Sequence, residues 1–471
     1  MMNLLAFIVG IAIPLALGWL SLLLLERHAP VLGRAERWFF ALVLGPTEFA
    51  LLAFTPHVLG LTQLNLFGFL MPSGILLIGL LAIAKRTHAF AARTHQPAYA
   101  PGMPLPKLIK TGILILCVWT AIKILAGAFD LLSVPTYWDD SFNNWNMRGK
   151  MYYETQMLQL EIPVGNGTIQ DSGGVGSYPP SVPMLKAWLS VLRGSWEEPL
   201  VNGLHLIWLT GLLGSFFFAL RRRLSPLLSL GGVNLLVSLP LFLIQATNPY
   251  ADVFMASHVF LGMLCLFVLA EEHDAAKTKT WIKVFGFILG MMFFTKNEAT
   301  VLYAPLMALM LLWILAEKKK SGTMHGEELR KLFAMSALAA LLLAAPWILF
   351  KWSNGLTFGN AKSVSGLRIA FDLRAVQAIW YHLTREPNWL LLPLVTPLTI
   401  VLSGKQAFRL PEGVLTVFLM LAIATQFLIF TFTPLATEAI MQTGLSRGLL
   451  HVMPVMMLLT ILLLEKLVRK E

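Results

Sequence analysis

Long apolar runs make up most of the chain, and short polar stretches separate them. A helix of about twenty apolar residues is long enough to cross the hydrocarbon core of a bilayer. The runs are continuous and rich in Leu, unlike the alternating segments of a transmembrane barrel. We therefore predict an all-α polytopic transmembrane bundle of about 13 spans, with approximate bounds at 3–25, 38–59, 64–84, 108–129, 199–220, 226–245, 252–270, 282–295, 299–316, 332–352, 388–403, 412–433 and 448–466.

The composition agrees with this pattern. With 57% hydrophobic and 13% charged residues, the 471-residue chain has more apolar surface than a soluble protein buries. A net charge of +11 would suggest nucleic acid in a soluble domain. Most basic residues, however, lie in short loops between the apolar runs, as the positive-inside rule describes. We expect a lipid bilayer, and no nucleic acid, as the partner of these residues.

Basic residues mark alternate loops, which we assign to the cytoplasmic side. The first run lacks a basic leading region and an obvious cleavage site, so we expect a retained span. The loops between the basic ones should face outward. One of them, at about 353–387, is nonetheless basic, and it is expected to meet either phosphate or anionic lipid heads. Its basic side chains are Lys362, Arg368, Arg374, His382 and Arg385.

The longest polar segment, 130–198, is predicted to be an outward loop. Within it Trp138, Phe142, Trp145 and Tyr152 recur at near-helical spacing. Aromatic residues in that pattern are typical of an amphipathic helix that lies along the membrane surface. We therefore predict interfacial helices in this loop.

Asp139 and Asp140 occupy the first turn of that predicted helix. One interpretation is structural, because carboxylates at a helix start serve as caps or interact with the helix dipole. The other is catalytic: one carboxylate accepts a proton from an attacking hydroxyl or amine. Adjacent residues diverge on a helix, so we expect only one of the two to be the base.

Basic residues at both ends of 283–318 require this segment to enter the membrane and return. Each arm has about fifteen residues, roughly 22 Å, against a core of about 30 Å. Lys296 and Glu298 at its tip should therefore be recessed and need partners or a wet cavity. Because residues at i and i+2 do not face each other on a helix, we expect separate partners, either in another span or in a substrate phosphate held by Lys296.

Two further polar groups are expected on the same side. Tyr250 and Asp252 follow a turn and open a span, with Asp252 either a simple cap or part of a polar cavity wall. Arg447 and His451 stand one turn apart at the start of the last span. Arg447 either snorkels to the interface or joins His451 in neutralising a phosphate leaving group.

The sequence contains no P-loop, Rossmann glycine pattern, HExxH or CxxC pair. A soluble nucleotide cofactor and a zinc site are therefore not predicted, and no metal-ligating residues are assigned. Any donor substrate should arrive through the membrane.

The order of these motifs resembles that of the polytopic GT-C glycosyltransferases. It is most similar to bacterial relatives of the protein O-mannosyltransferase group, the glycosyltransferase family 39-like proteins, and to lipid A aminoarabinose transferases. The resemblance runs from about residue 130 to 460. It rests on Trp138-Asp139-Asp140 followed by Trp145, Arg148 and Lys150, then Tyr178-Pro179, Tyr250-Ala251-Asp252, Thr295-Lys296-Asn297-Glu298, and Arg447 with His451.

The resemblance implies inverting transfer of a sugar from a polyprenyl-phosphate donor to an acceptor on the outer face. Asp139 or Asp140 would be the base, and Lys296 and Arg447 would bind the phosphate. The other motif residues are then expected to bind substrate: Tyr178, Tyr250, Asp252, Glu298, His451, Arg148 and Lys150. Some relatives need no metal and others do, so a divalent metal stays open. The acceptor could be protein, lipid or polysaccharide.

The family's acidic loop commonly follows the first helix, whereas here it follows the fourth run. We therefore expect residues 1–107 to be an added three-helix extension and 108–471 to be the GT-C-like catalytic module. The compact length favours a bacterial cytoplasmic membrane over an endoplasmic reticulum, and we expect the site to face the periplasm or outside. A secondary transporter or lipid flippase is the main alternative, and it should show paired inverted repeats. A non-catalytic scaffold that presents loop 130–198 is the third.

Overall fold

The predicted apolar runs fold as helices. A computed structural model describes residues 2–91, 99–100, 105–137, 140–160, 162–164, 168–170, 175–357 and 369–469. Its helices are α1 (Met2–Leu25), α2 (Arg34–Val58), α3 (Leu66–Arg86), α4 (Lys107–Ser133), α5 (Met147–Thr155), α6 (Ser181–Arg193), α7 (Glu198–Asn202), α8 (Leu204–Arg221), α9 (Pro226–Val237), α10 (Pro240–Ala246), α11 (Asp252–Glu271), α12 (Ala275–Met292), α13 (Ala304–Lys320), α14 (Gly326–Ser353), α15 (Leu373–Thr384), α16 (Leu392–Ser403), α17 (Glu412–Phe432), α18 (Ala436–Ile440), α19 (Gly444–Leu450) and α20 (Met453–Val468). Two three-residue strands, β1 (Ile162–Val164) and β2 (Thr168–Gln170), pair antiparallel.

Within the described ranges, 9 helices are long and apolar enough to cross a membrane. The pairs α9 with α10 and α19 with α20 are bent by 84° and 49°, and counting each as one span gives up to 11. The prediction of a polytopic helical bundle is confirmed. The count of about 13 stays a prediction, because α12 and α16 are not among these spans. With 12 residues, α16 is roughly 18 Å long and falls short of the hydrocarbon core.

Helix α11 is the most enclosed span, whereas α4 lies at the surface of the bundle. Of their apolar windows, 94% of α11 and 6% of α4 is buried inside the protein. A transmembrane helix with an exposed apolar surface contacts lipid, so α4 lies at the lipid boundary. The start of α11, where Asp252 lies, is therefore enclosed by other parts of the bundle.

The first two helices pack tightly and belong to the same hydrophobic core as the rest of the bundle. A Cβ added at Gly18 would lie 2.7 Å from the Cα of Gly45, which explains why glycines occupy this crossing. The indole of Trp188 in α6 donates to the carbonyl of Gly10 at 2.9 Å. Residues 1–107 therefore support loop 130–198 directly, and the predicted division at residue 107 stays a prediction.

The two ends of the bundle differ in charge. At one end, which we call the basic end, short loops carry ion pairs such as Arg37 with Glu26 at 2.8 Å and Arg222 with Glu36 at 2.6 Å. At the other, which we call the loop end, α4 and α14 finish, α11 begins, and the segment after α4 folds over the helices. This separation follows the predicted charge alternation. The assignment of the loop end to the outside stays a prediction.

The aromatic run of loop 130–198 is helical but does not lie free on a membrane surface. Trp138 and Asp139 lie outside the described residues. A π-helical turn spans Ser141–Asn146 and continues into α5. Trp145 and Tyr152 are fully buried, and only Phe142 of the described aromatic residues in this pattern is exposed. The stripe therefore packs into the protein rather than into the lipid interface.

The predicted basic loop also contains a helix, α15. Ala375, Ile379 and His382 are buried on one side, and Trp380 is exposed on the other. Lys362 and Arg368 lie outside the described residues. Arg374 pairs with Asp372 at 2.9 Å. A helix is thus found in this loop as well as at α5, and the predicted position of such helices along a membrane surface stays a prediction.

Candidate functional site

Asp252 lies at the centre of a cluster of charged side chains at the loop end. Its carboxylate is fully buried and accepts hydrogen bonds from Lys296 Nζ at 2.8 Å, Arg447 Nε at 2.9 Å and His451 Nε2 at 3.0 Å. With Asp140 and Glu298, these residues form what we call the Asp252 cluster. The structure does not support the interpretation of Asp252 as a simple cap, because Ala251 is the N-cap residue of α11 and the Asp252 oxygens accept from three donors that are distant along the chain.

The local sequence explains how Asp252 reaches this position. A turn closed by the Tyr250 N–H on the Asn248 carbonyl, at 2.8 Å, ends the preceding segment. Helix α11 then begins at Asp252, so its carboxylate lies at a helix N-terminus, where the dipole favours negative charge. Both the backbone and the three donors therefore stabilise the ionised carboxylate.

Arg447 links the loop to the helices. Its Nε binds Asp252, its Nη1 forms an ion pair with the carboxylate of Asp140, and its guanidinium lies 5.1 Å from the ring centre of Tyr250. The forked guanidinium can hold two carboxylates at once, which a lysine cannot do with the same geometry. The cap interpretation of Asp140 is likewise not supported, because its side chain caps no helix and binds Arg447 instead.

The cluster opens to solvent at this ion pair. The side chains of Asp140 and Arg447 are 38% and 23% exposed, whereas those of Lys296 and Asp252 are buried. A substrate that approaches from the loop end would meet Asp140 and Arg447 first.

Lys296 is buried and the Glu298 side chain is 37% exposed, and the two bind each other at 3.2 Å; their predicted depth below the membrane surface stays a prediction. The prediction that they would point apart is wrong, because Lys296 lies in the irregular link between α12 and α13 rather than in a helix. Glu298 Oε2 is buried and has no hydrogen-bond partner within the described ranges. That oxygen is an open acceptor beside a cationic side chain.

A second layer supports His451. Tyr303 lies with its hydroxyl 3.2 Å from His451 Nδ1 and 3.1 Å from the Gly448 carbonyl, and Gln426 Nε2 donates to the same hydroxyl at 3.4 Å. Neither Tyr303 nor Gln426 was predicted from the sequence. The sequence could have indicated them in one way. Each is a polar residue inside an apolar run, and such a residue must find a hydrogen-bond partner within the bundle.

Tyr178 is partly buried beside the cluster. Burial raises the pKa of its phenol well above the ordinary value, the negative charge of Glu298 adds to this rise, and Arg447 opposes it. Its ring meets Trp145 edge-on with centroids 5.8 Å apart. The Tyr178-Pro179 motif therefore borders the Asp252 cluster, and its contact with substrate stays a prediction.

Two further cations flank the backbone before Tyr178. Arg148 donates to Asn144 Oδ1 at 3.2 Å, to the Tyr152 hydroxyl at 3.2 Å and to the Tyr178 carbonyl at 3.0 Å. Lys351 donates to the Ser177 carbonyl at 2.6 Å and to Asn297 Oδ1 at 2.9 Å. Sequence analysis missed Lys351, which sits at the end of an apolar run and resembles an ordinary interfacial lysine.

Lys150 is not part of this arrangement. It is exposed on α5 and lies 3.9 Å from Glu154, one helical turn away. A surface pair at this distance contributes little to stability. The predicted contact of Lys150 with substrate thus has no support from its surroundings.

The Asp252 cluster combines three carboxylates, two permanent cations and His451. In the described part of the chain, no three His, Cys, Asp or Glu side chains are grouped so as to hold a metal ion. Asp139 lies outside that part. Its place relative to Asp140 stays a prediction.

Comparison of the chain with known protein families and with curated proteins gave no match.

Proposed function

We propose that the protein is a membrane glycosyltransferase of the GT-C type, acting at the loop end of its helical bundle. It transfers a sugar from a polyprenyl-phosphate donor to an acceptor, with inversion at the anomeric carbon. The observation that carries this proposal is the partly exposed carboxylate of Asp140, held by Arg447 directly above the buried Asp252 cluster. We further propose that the loop end faces the periplasm of a bacterial cytoplasmic membrane.

In the proposed reaction, a hydroxyl oxygen or an amine nitrogen of the acceptor attacks the anomeric carbon of the sugar. The bond between that carbon and the phosphate oxygen breaks, and the polyprenyl phosphate leaves with the electron pair. The acceptor proton passes to Asp140 or Asp139. A fixed base of this kind contributes typically 10²–10⁴-fold to a rate.

Arg447 is suited to bind the departing phosphate although two of its nitrogens are engaged. Its Nη2 makes no hydrogen bond to any described residue, and its side chain is partly exposed. A donor aimed at developing negative charge is a frequent source of transition-state stabilisation. Lys296 is buried and paired with Asp252 and Glu298, so we propose that it contributes through the charge of the cluster.

Glu298 is suited to bind a hydroxyl group of the sugar. Its Oε2 is the open acceptor in the cluster, and a buried acceptor gains free energy when a donor reaches it. In our proposal the sugar lies between Glu298 and Asp140, and the lipid tail of the donor extends toward the bilayer.

A secondary transporter or lipid flippase is the second candidate, and one observation favours it. The pairs α9 with α10 and α19 with α20 are broken helices, which in transporters line a substrate site. In the second pair, however, the break lies beside Arg447 and His451, at the loop end of the bundle. That position suits surface chemistry better than alternating access.

The test is sugar transfer from a panel of radiolabelled polyprenyl-phosphate sugars in membranes that carry the protein at matched expression. We expect transfer to be lost in Lys296→Ala and in either Asp139→Asn or Asp140→Asn, which identifies the base. Lys331→Ala, an exposed lysine of the basic end, is the matched control. Undiminished transfer in all three variants would contradict the site. A wild type that turns over no donor while moving labelled lipid across vesicles would favour transport.

A further inference from the structure

A second polar network lies beside the Asp252 cluster and is built around the fully buried Lys186. Lys186 Nζ donates to the side-chain oxygens of Asn146 and of Asn202, the latter at 3.2 Å. The amide nitrogens of the same two residues donate to Thr136 Oγ1, at 2.9 Å and 3.1 Å. The Thr136 N–H donates to Glu198 Oε2 at 2.8 Å. We call these five residues the Lys186 network.

The hydrogen bonds form a closed ring. Each asparagine directs its oxygen to Lys186 and its nitrogen to Thr136, and a lysine N–H can meet only the oxygen end of an amide. Lys186 thereby fixes which way both amides point. If the amides were reversed, their nitrogens would face the ammonium and their oxygens would face a hydroxyl that can donate to one of them at most.

The network holds both flanks of the acidic segment. Thr136 precedes Trp138-Asp139-Asp140, and Asn146 follows it at the end of the π-helical turn. Their partners Lys186, Asn202 and Glu198 belong to α6 and α7, which pack on the bundle. The segment from 136 to 146 is thus attached to one rigid support at each end, while Asp140 between them reaches Arg447.

Burying an apolar side chain at position 186 would cost less free energy than burying a lysine. The hydrogen-bond partners of Lys186 among the described residues are neutral amides, and burial lowers the pKa of its amino group to about 7, with Glu198 opposing the shift. Burial of a charge without a bonded counterion costs free energy. Both the ammonium and the neutral amine have enough N–H groups for the two amides, so the geometry is available in either form.

We propose that Lys186 is a positioning residue for the acidic segment. Through Asn146 and Asn202 it sets the place of Thr136 and so the approach of the Asp140 carboxylate to Arg447. Its effect on a reaction rests on the proposed function, whereas its effect on the segment does not.

The first test measures amide hydrogen exchange by mass spectrometry on the full chain in detergent, with Lys186→Met compared with wild type. Loss of the ring should speed exchange of the peptide covering 134–147 by roughly tenfold, the effect of a lost hydrogen bond. Exchange in α11 should not change. Arg193→Met is the matched control, because Arg193 lies on the same helix and binds Asn3 outside the network at 2.7 Å.

The second test uses the transfer assay. Lys186→Met should lower kcat about tenfold or more and leave the donor KM unchanged, because a misplaced base affects the chemical step more than binding. Adding Thr136→Val should lower kcat little further, since both changes break the same ring. If Lys186 served only the stability of the fold, Lys186→Met would lower the amount of folded protein, but the folded fraction would keep the wild-type kcat and KM.

Unchanged exchange at 134–147 in folded Lys186→Met would overturn the proposal, and so would faster exchange with wild-type kcat. If Lys186→Met does not fold, Thr136→Val alone removes the common acceptor and should give the same local increase in exchange. If wild type transfers no sugar, the proposed function fails, and the exchange experiment still decides whether Lys186 positions the segment.

Discussion

Two buried lysines at the same end of the bundle are stabilised in opposite ways. Lys296 lies against the carboxylates of Asp252 and Glu298, whereas Lys186 is bonded to the amide oxygens of Asn146 and Asn202. A carboxylate offsets the charge of a lysine, while an amide offers only a dipole. The first arrangement balances charge among distant helices, and the second directs the path of a loop.

The comparison separates two requirements of a site at a membrane surface. Charges must be compensated where water is scarce, and the Asp252 cluster does this with groups from α11, the α12–α13 link and the α19–α20 pair. A loop that carries a reactive group must also be held in place. The Lys186 network does this with α6 and α7.

The largest effect is expected from Asp252→Asn. This change leaves Lys296, Arg447 and His451 without their shared carboxylate, and removal of one partner of a buried ion pair costs about 3–5 kcal/mol. We expect a marked fall in folded yield and in apparent melting temperature in detergent. Glu327→Gln, an exposed carboxylate of α14, is the control. If the melting temperature equals that of wild type, Asp252 does not stabilise the protein by balancing the charges of Lys296 and Arg447.

A smaller effect is expected from Arg447→Lys. The charge stays, but one ammonium cannot reproduce the fork that joins Asp252 to Asp140, so one charge-assisted hydrogen bond worth about 1.5–3 kcal/mol is lost. The protein should still fold, while sugar transfer falls at least about tenfold through the unsupported Asp140. The measurement is transfer at matched expression, together with exchange at 134–147. Full activity in this variant would remove Arg447 from the proposed mechanism.

The third prediction concerns the dependence of stability on pH. It applies to the Lys186 network because the hydrogen-bond partners of Lys186 are neutral amides, whereas those of Lys296 are carboxylates. The pKa of Lys186 is lowered from 10.5 to about 7 by burial. Between these values the unfolded chain binds a proton that the folded chain does not, so the folded state gains stability as pH rises. Relative to Lys186→Met, wild type should gain up to roughly 1.4 kcal/mol per pH unit from pH 7 toward pH 10.

Apparent melting temperatures of wild type and Lys186→Met at pH 7, 8 and 9 check this prediction. Arg193→Met should follow wild type at each pH. A difference between wild type and Lys186→Met that does not change with pH would mean that Lys186 keeps its proton when folded.

The smallest effect is expected from Tyr303→Phe. The variant loses the hydroxyl contacts with His451 and Gly448, worth about 0.5–1.5 kcal/mol, and Gln426 still donates to the Gly448 carbonyl at 3.3 Å. The apparent melting temperature should fall slightly, and the rate of sugar transfer should be close to that of wild type. A large loss of transfer would make Tyr303 part of the site rather than its support.

The membrane spans could be predicted because hydropathy is a property of each segment alone. The bends between α9 and α10 and between α19 and α20 could not, since they depend on packing against neighbours. The predicted span at 388–403 stays unconfirmed, because α16 has only 12 residues and the predicted segment begins in a short turn before Leu392.

The sequence could predict that four charged residues lie at the same end of the bundle, because alternate loops lie on the same side of a membrane. These residues are Asp140, Asp252, Lys296 and Arg447. Their pairing could not be predicted, because Asp252 binds residues up to 199 positions away along the chain. The Lys186 network was missed for another reason. A single lysine within the apolar sequence of α6 looks like a surface residue until its burial is known.

The distance along the chain between Asp252 and its partners also bears on how the protein is made. Lys296 follows Asp252 by 44 residues, but Arg447 follows by 195. At about 5–20 residues per second, translation delivers the guanidinium roughly ten to forty seconds after the carboxylate. A nascent chain interrupted before Gly444 therefore carries a buried acid with one of its three donors. Such a fragment differs from the finished molecule in a carboxylate that lacks two of its three donors.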